Sequence, residues 1–155
     1  AMKLNEEVQV PLGGSEQHRR WLYDQMRAIA KRVNANNQTD YQLSCSDLTT
    51  SLATGTNVGY FRVNKACAIK DIRATLLTAS SSGAVTVDVN VNGSTILSTK
   101  LTVDQGEKTS TTAATPYKIS SLAAASLNDD DEVSIDIDGA GTGAKGLIVC
   151  LVVEL

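Results

Sequence analysis

The sequence predicts a mainly β protein: an antiparallel β-sandwich of jelly-roll type, preceded by one N-terminal α-helix. Three observations carry that expectation. Val85, Val87, Val89 and Val91 alternate with Thr86, Asp88 and Asn90, the period-two pattern of a half-buried strand. Asn92-Gly93 follows at once, and both residues tolerate the positive φ that a type I′ hairpin turn demands. Aromatic residues make up only 4% of a chain that is 42% hydrophobic. The core must therefore be built from Val, Ile, Leu and Ala, the β-branched and aliphatic filling that sheets favour.

Taken in order, the chain begins with a weakly alternating arm, Met2 to Leu12, closed by the flexible joint Gly13-Gly14. Ser15 stands where a helix N-cap belongs, with Glu16 in the first turn to meet the positive end of the dipole. Leu22, Met26, Ile29 and Val33 are then spaced four, three and four apart, which is the spacing of a coiled-coil seam. Trp21 and Ala30 widen that stripe, Glu16/Arg20 and Asp24/Arg27 can pair outside it, and Asn34, Asn36 and Asn37 end the helix. Such a helix can pack on its own domain or on copies of itself, because two heptads gain most of their stability from tertiary contacts. The four seam residues are the expected oligomer interface. Residues 1–40 are accordingly assigned to attachment and oligomerisation, and residues 41–155 to the sandwich.

Past Asp40 the period changes to two. Tyr60 to Val63, Ile69 to Leu77, Ser94 to Ser98 and Lys100 to Val103 read as strands. A Thr-rich loop from Gly106 to Thr115 is closed by Pro116. Val133, Ile135 and Ile137 then alternate with Ser134, Asp136 and Asp138. The last strand, Gly146 to Val153, is apolar on both faces, so it is either central in a sheet or lies between the core and another subunit.

Bulk charge narrows the partners. The net charge of −3 argues against nucleic acid, since phosphate binding draws its affinity from a Lys/Arg surplus. The basic residues Arg19, Arg20, Arg27, Lys31 and Arg32 are interleaved with Glu16 and Asp24 and read as a solvated helix face. No apolar run reaches the roughly 18–20 residues of a membrane span, and no charged segment precedes an apolar one as in a secretion signal. Cys45, Cys67 and Cys150 lack paired spacing and read as reduced thiols of a cytoplasmically made protein.

The chemistry that would mark an enzyme is missing from the pattern. His18 is the single histidine, lies at the start of the helix, and has no orienting partner nearby in sequence. Gly141-Thr142-Gly143-Ala144-Lys145-Gly146 matches GxGxxG, but a nucleotide site needs that motif to open a helix. Here a strand follows, so a glycine-rich hairpin is expected. Asp136, Asp138 and Gly139 resemble part of a calcium loop that starts at Ser134, yet Lys145 occupies the place of its bidentate Glu. The turn Asn128 to Glu132 reads as a solvated loop, with weak calcium binding as the alternative. No enzyme activity, cofactor or metal is expected.

Several phrases carry a resemblance: Ile72-Arg73-Ala74, Val87-Asp88-Val89-Asn90, Asn92-Gly93-Ser94-Thr95-Ile96-Leu97-Ser98, Glu107-Lys108-Thr109-Ser110, Asp129-Asp130-Asp131-Glu132 and Gly143-Ala144-Lys145-Gly146-Leu147. Together they resemble β-sandwich modules of tailed-bacteriophage virion proteins. The resemblance implies a trimer, placed in the virion, whose N-terminal segment attaches to other virion proteins. The chain is short for a receptor-binding fibre, which points to a tail appendage or a capsid decoration protein. A competing expectation is a carbohydrate-binding sandwich that adheres to host-surface glycan. Such modules present exposed Trp and Tyr platforms, and here the candidates are Trp21, Tyr23, Tyr41, Tyr60 and Tyr117.

Overall fold

A computed structural model describes residues 15–35 and 37–155; the arm and the Gly13-Gly14 joint lie outside them. The chain divides into two compact units, Ala1–Gln38 and Thr39–Leu155.

In the first unit, α1 spans Glu16–Ala35. Ser15 caps it: its Oγ accepts the His18 N–H at 3.3 Å, satisfying one of the donors that a helix start leaves open. The helix takes in Asn34 and so runs slightly past its expected end.

The second unit is an antiparallel sandwich, as the alternation predicts. One sheet has the order β1-β11-β3-β9, with β1 at Gln38–Ser44, β3 at Cys67–Thr78, β9 at Ser126–Leu127 and β11 at Lys145–Glu154. The other has the order β2-β10-β4-β5, with β2 at Gly55–Arg62, β4 at Val85–Val91, β5 at Ser94–Thr95 and β10 at Glu132–Ala140. On that second sheet β7, Leu101–Val103, pairs along β4 beyond β5. A small ribbon joins β6, Leu97–Thr99, to β8, Lys118–Ile119.

The alternating residues meet between the sheets. Val85, Val87, Val89, Val133 and Ile135 from one side, and Leu147, Val149, Leu151 and Val153 from the other, are fully buried. Each such side chain contributes roughly 1.5–3 kcal/mol by leaving water. The Asn92-Gly93 turn forms as expected: both residues have positive φ, and Val91 pairs with Ser94 across it.

Two elements differ from expectation. β1 is a polar edge strand that exposes most of its residues, so its alternation carries little apolar signal. The glycine-rich segment after β10 is not a hairpin. It carries the chain from one sheet to the other, because β10 pairs with β2 and β4 whereas β11 pairs with β3. The final strand is central, between β1 and β3. Its second face, Ile148, Cys150 and Val152, is partly exposed.

Candidate functional site

The first candidate surface is the stripe on α1. At 100° per residue, Leu22, Met26, Ile29 and Val33 fall on one side of the helix. Leu22 is half-buried, while Met26 is 41% and Ile29 56% exposed; the Val33 side chain lies outside the described residues. Trp21, expected to widen the stripe, is 57% exposed. It turns away from Leu22 by one helical step and stacks on His18, with centroids 6.2 Å apart. Arg27 lies 5.0 Å over the Tyr23 ring and forms no ion pair with Asp24. His18, the one imidazole, is thus a stacking partner on a helix surface.

The second surface is the outer face of the sheet that contains β4 and β10. Register fixes its rows. Tyr60 of β2 faces Ser134 of β10, which faces Asn90 of β4, which faces Thr95 of β5. One row along, Arg62 faces Glu132, and the Arg62 guanidinium reaches both the Glu132 carboxylate, at 3.1 Å, and the Asp130 carbonyl, at 3.0 Å.

In the other direction, Asp136 and Asp88 face each other across the ladder. Like charges in that arrangement repel, and the structure gives each its own donors. Asp136 accepts from the Asn90 amide at 2.9 Å and from the backbone N–H of Asn57 at 2.7 Å. Asp88 accepts from Thr95 Oγ1 at 2.6 Å and from Lys100 Nζ. Lys100 also reaches Asp138, 3.1 Å away, the extra residue of a bulge between Ile137 and Gly139. Burial works to lower the Lys100 pKa, but its bonds to the two carboxylates outweigh that and raise it.

The sequence pattern lists Asp88, Asp136 and Asp138 only as solvent-facing strand residues. What it misses is the pairing of their strands and the cation from a third segment. Two parallel Val/Asp alternations in one chain were the available signal.

The acidic turn is held in place by its own side chains. Asp131 accepts from the Asn128 backbone N–H at 2.7 Å and from the Asn92 amide at 2.8 Å, bonds that hold its carboxyl below the usual range. Among the described residues no group of three or more His, Cys, Asp or Glu could hold a metal ion.

The GxGxxG segment is a clasp. The buried Ser80 Oγ accepts the Thr142 N–H at 2.9 Å and donates to the Ser82 carbonyl at 2.8 Å. Gly141 approaches so closely that a Cβ would lie 2.4 Å from Ser80 Oγ.

Two clefts accompany these surfaces. One of about 240 Å³ lies beside β3, lined by Asp71, Ser110, Pro116 and Tyr117; its polar atoms are spent on the sheet edge, as Tyr117 Oη donates to Asp71 at 3.0 Å and accepts the Ile72 N–H at 2.9 Å. The other, about 460 Å³, is lined by Thr39, Asp40, Tyr41, Asn64, Lys65 and Leu155. There Tyr41 stacks on Phe61 at 4.4 Å and donates to Asn64.

Cys45 and Cys67 are buried and Cys150 is half-buried, all three as free thiols. Burial pushes Cys45 up to about 11, and burial with the neighbouring Asp40 carboxylate also raises Cys150. No helix among the described residues is long and apolar enough to cross a membrane. No protein-family model matches this chain, and no curated protein or solved structure matches it either.

Proposed function

We propose that the chain is a non-catalytic structural protein of a bacteriophage virion, a tail appendage or capsid decoration component that assembles as a trimer. The observation that carries this reading is the seam on α1, where Met26 and Ile29 are exposed apolar side chains on a helix that belongs to a compact unit of its own. A helix with an uncovered apolar stripe gains its stability by burying that stripe. In heptad terms Met26 and Val33 take a positions and Leu22 and Ile29 take d positions. Ile29 at d favours three or more strands, whereas Leu22 at d with Val33 at a favours two, so the choice of three comes from the resemblance and not from the seam. The resemblance of the sandwich to virion modules supplies the setting, and attachment to other virion proteins falls to residues 1–40.

The non-catalytic part of this proposal is supported by how the ionisable groups are used: His18 stacks on Trp21, and the carboxylates of the sandwich face hold strands together. Sedimentation of the full chain tests the assembly. A particle of three times the 16.4 kDa chain mass is expected, and Met26→Glu with Ile29→Glu should reduce it to a monomer whose β-sheet circular dichroism is unchanged. A wild-type monomer at micromolar concentration would sink the proposal.

A further inference from the structure

We infer that Asn92 is a guarded modification site: the acidic turn holds its side-chain amide, and deamidation leaves a carboxylate there that breaks the hold. Asn92 is the one asparagine of the chain that is followed by glycine. That neighbour matters chemically, because glycine has no side chain to hinder its nitrogen as it approaches Asn92 Cγ. In the reaction the Gly93 nitrogen bonds to Asn92 Cγ and loses its proton, and the side-chain nitrogen departs as ammonia. Water then opens the cyclic imide at either carbonyl, leaving aspartate or isoaspartate at position 92. Water is the only co-reactant, and nothing is oxidised or reduced.

The hairpin exposes this pair. Val91 pairs with Ser94 across the turn, so the Gly93 nitrogen lies at the tip, outside the paired residues. Gly93 is exposed, and the space where a side chain would stand is empty. The restraint on the reaction is in the amide. Asn92 Oδ1 accepts the Glu132 N–H at 3.0 Å, and Nδ2 donates to Asp131 Oδ1 at 2.8 Å. The Asn92 N–H adds a third tie, to the Glu132 carbonyl at 2.8 Å. An amide plane fixed at both ends does not turn to meet the Gly93 nitrogen until its two bonds break.

The same contacts make the product incompatible with the clamp. A carboxylate at position 92 has no N–H to offer Asp131, whose other oxygen already accepts the Asn128 N–H at 2.7 Å. Asp130 and Glu132 flank Asp131 in the chain. Like charges facing each other repel, so a bond that joined the β4-β5 hairpin to the start of β10 becomes a repulsion. The isoaspartate form also lengthens the backbone inside a two-residue turn, where loop length sets the register. Conversion is one-way. It acts within the sandwich of a single chain and does not depend on the assembly proposed above.

The test incubates the full-length protein in warm neutral buffer, folded or unfolded in urea, and follows position 92 by peptide mass mapping and ammonia release. Folded wild type is expected to convert about tenfold more slowly than the unfolded chain, the effect of two hydrogen bonds. Asp131→Ala should raise the folded rate about fivefold, with β-sheet circular dichroism unchanged. Asp131→Asn keeps an acceptor and should stay within about twofold of wild type. Asn92→Asp supplies the product directly. Its urea midpoint should fall below wild type, and adding Asp131→Asn should restore most of the loss, because donor and acceptor are then exchanged. Folded wild type converting as fast as the unfolded chain, or a folded rate indifferent to Asp131→Ala, overturns the guard. A midpoint unmoved by Asn92→Asp, or not restored by the exchange, overturns the release. Should Asp131→Ala not fold, the wild-type comparison and the exchanged pair still decide both.

Discussion

Gly141 and Ser80 occupy one small volume at an end of the sandwich, and neither could change size alone. Gly141 sits at φ +61°, and a Cβ there would lie 2.4 Å from Ser80 Oγ and 2.7 Å from Ser80 Cβ. Both atoms belong to a buried serine that holds the Thr142 backbone, so neither can swing aside cheaply. Gly141→Ala is expected to cost about 3 kcal/mol, combining overpacking with a left-handed backbone. Gly143, two residues on, has φ +73° and open space around its Cβ direction. Gly143→Ala should cost only about 1 kcal/mol, the backbone term alone. Urea unfolding of the two variants measures the difference, and equal losses would show that contact with Ser80 is not what fixes Gly141. The same pair explains why this GxGxxG resembles a nucleotide motif: close approach and positive φ are shared demands, here made by a corner between sheets.

At the scale of elements, the notable device is the way β3 is finished along its free edge. Only Cys67 and Ala68 have a partner strand there, β9. Beyond it the N–H groups go to Ala125 O from Ile69, Tyr117 Oη from Ile72, Ser110 Oγ from Ala74 and Lys108 O from Leu76. A loop and two hydroxyls thus stand in for a strand, which closes an edge that would otherwise template association with another sheet. Ser110→Ala removes the partner of the buried Ala74 N–H. It should destabilise by about 1–2 kcal/mol and speed hydrogen exchange at Ala74. Ser98→Ala, which removes an exposed bond to the Lys118 carbonyl, should stay within about 0.5 kcal/mol. Unchanged exchange at Ala74 would mean the edge is held by something other than Ser110.

This device also marks where the sequence stops being readable. β4, its hairpin turn and β10 are plain in the alternation of Val and Ile with Asp, Ser and Asn, because burial on one face imposes period two. β1 is not plain, since an exposed edge imposes no such pattern on Gln38 to Ser44. The Gly106 to Thr115 loop gives no periodic signal at all, although Thr109, Ser110 and Thr112 are committed to side-chain bonds. The candidate surfaces divide in the same way. The seam of α1 is legible as spacing. The prominence of Tyr60 over Tyr41 and Tyr117 is not, because it depends on which tyrosines have a ring or a carboxylate to lean on.

For the whole molecule, the charge distribution sets the response to acid. Residues 39 to 155 carry thirteen acidic and eight basic side chains, and several of the carboxylates are structural acceptors. Asp47 takes the Thr50 and Thr49 N–H groups at 2.6 and 2.7 Å, and those bonds lower its pKa to about 2. Asp131 is lowered by the Asn128 and Asn92 bonds. Burial acts to raise Asp71, but the bonds from Arg73 and Tyr117 outweigh it and leave it lowered as well.

A carboxyl depressed in the folded state binds fewer protons there than in the unfolded chain. Its contribution is therefore complete above the unfolded pKa of about 4 and is lost as pH falls through the folded value. The urea midpoint should hold between about pH 7 and 5, then fall steadily from about pH 4 toward pH 2. Relief of repulsion among the excess carboxylates works the other way, so a midpoint that rises below pH 4 would show that net charge, and not the bonded turns at Asp47, Asp71 and Asp131, governs the sandwich. Following the Asp47 carboxyl by NMR through the same range separates the two: if the turn is bonded as described, its titration stays near pH 2 for as long as the β-sheet signal survives.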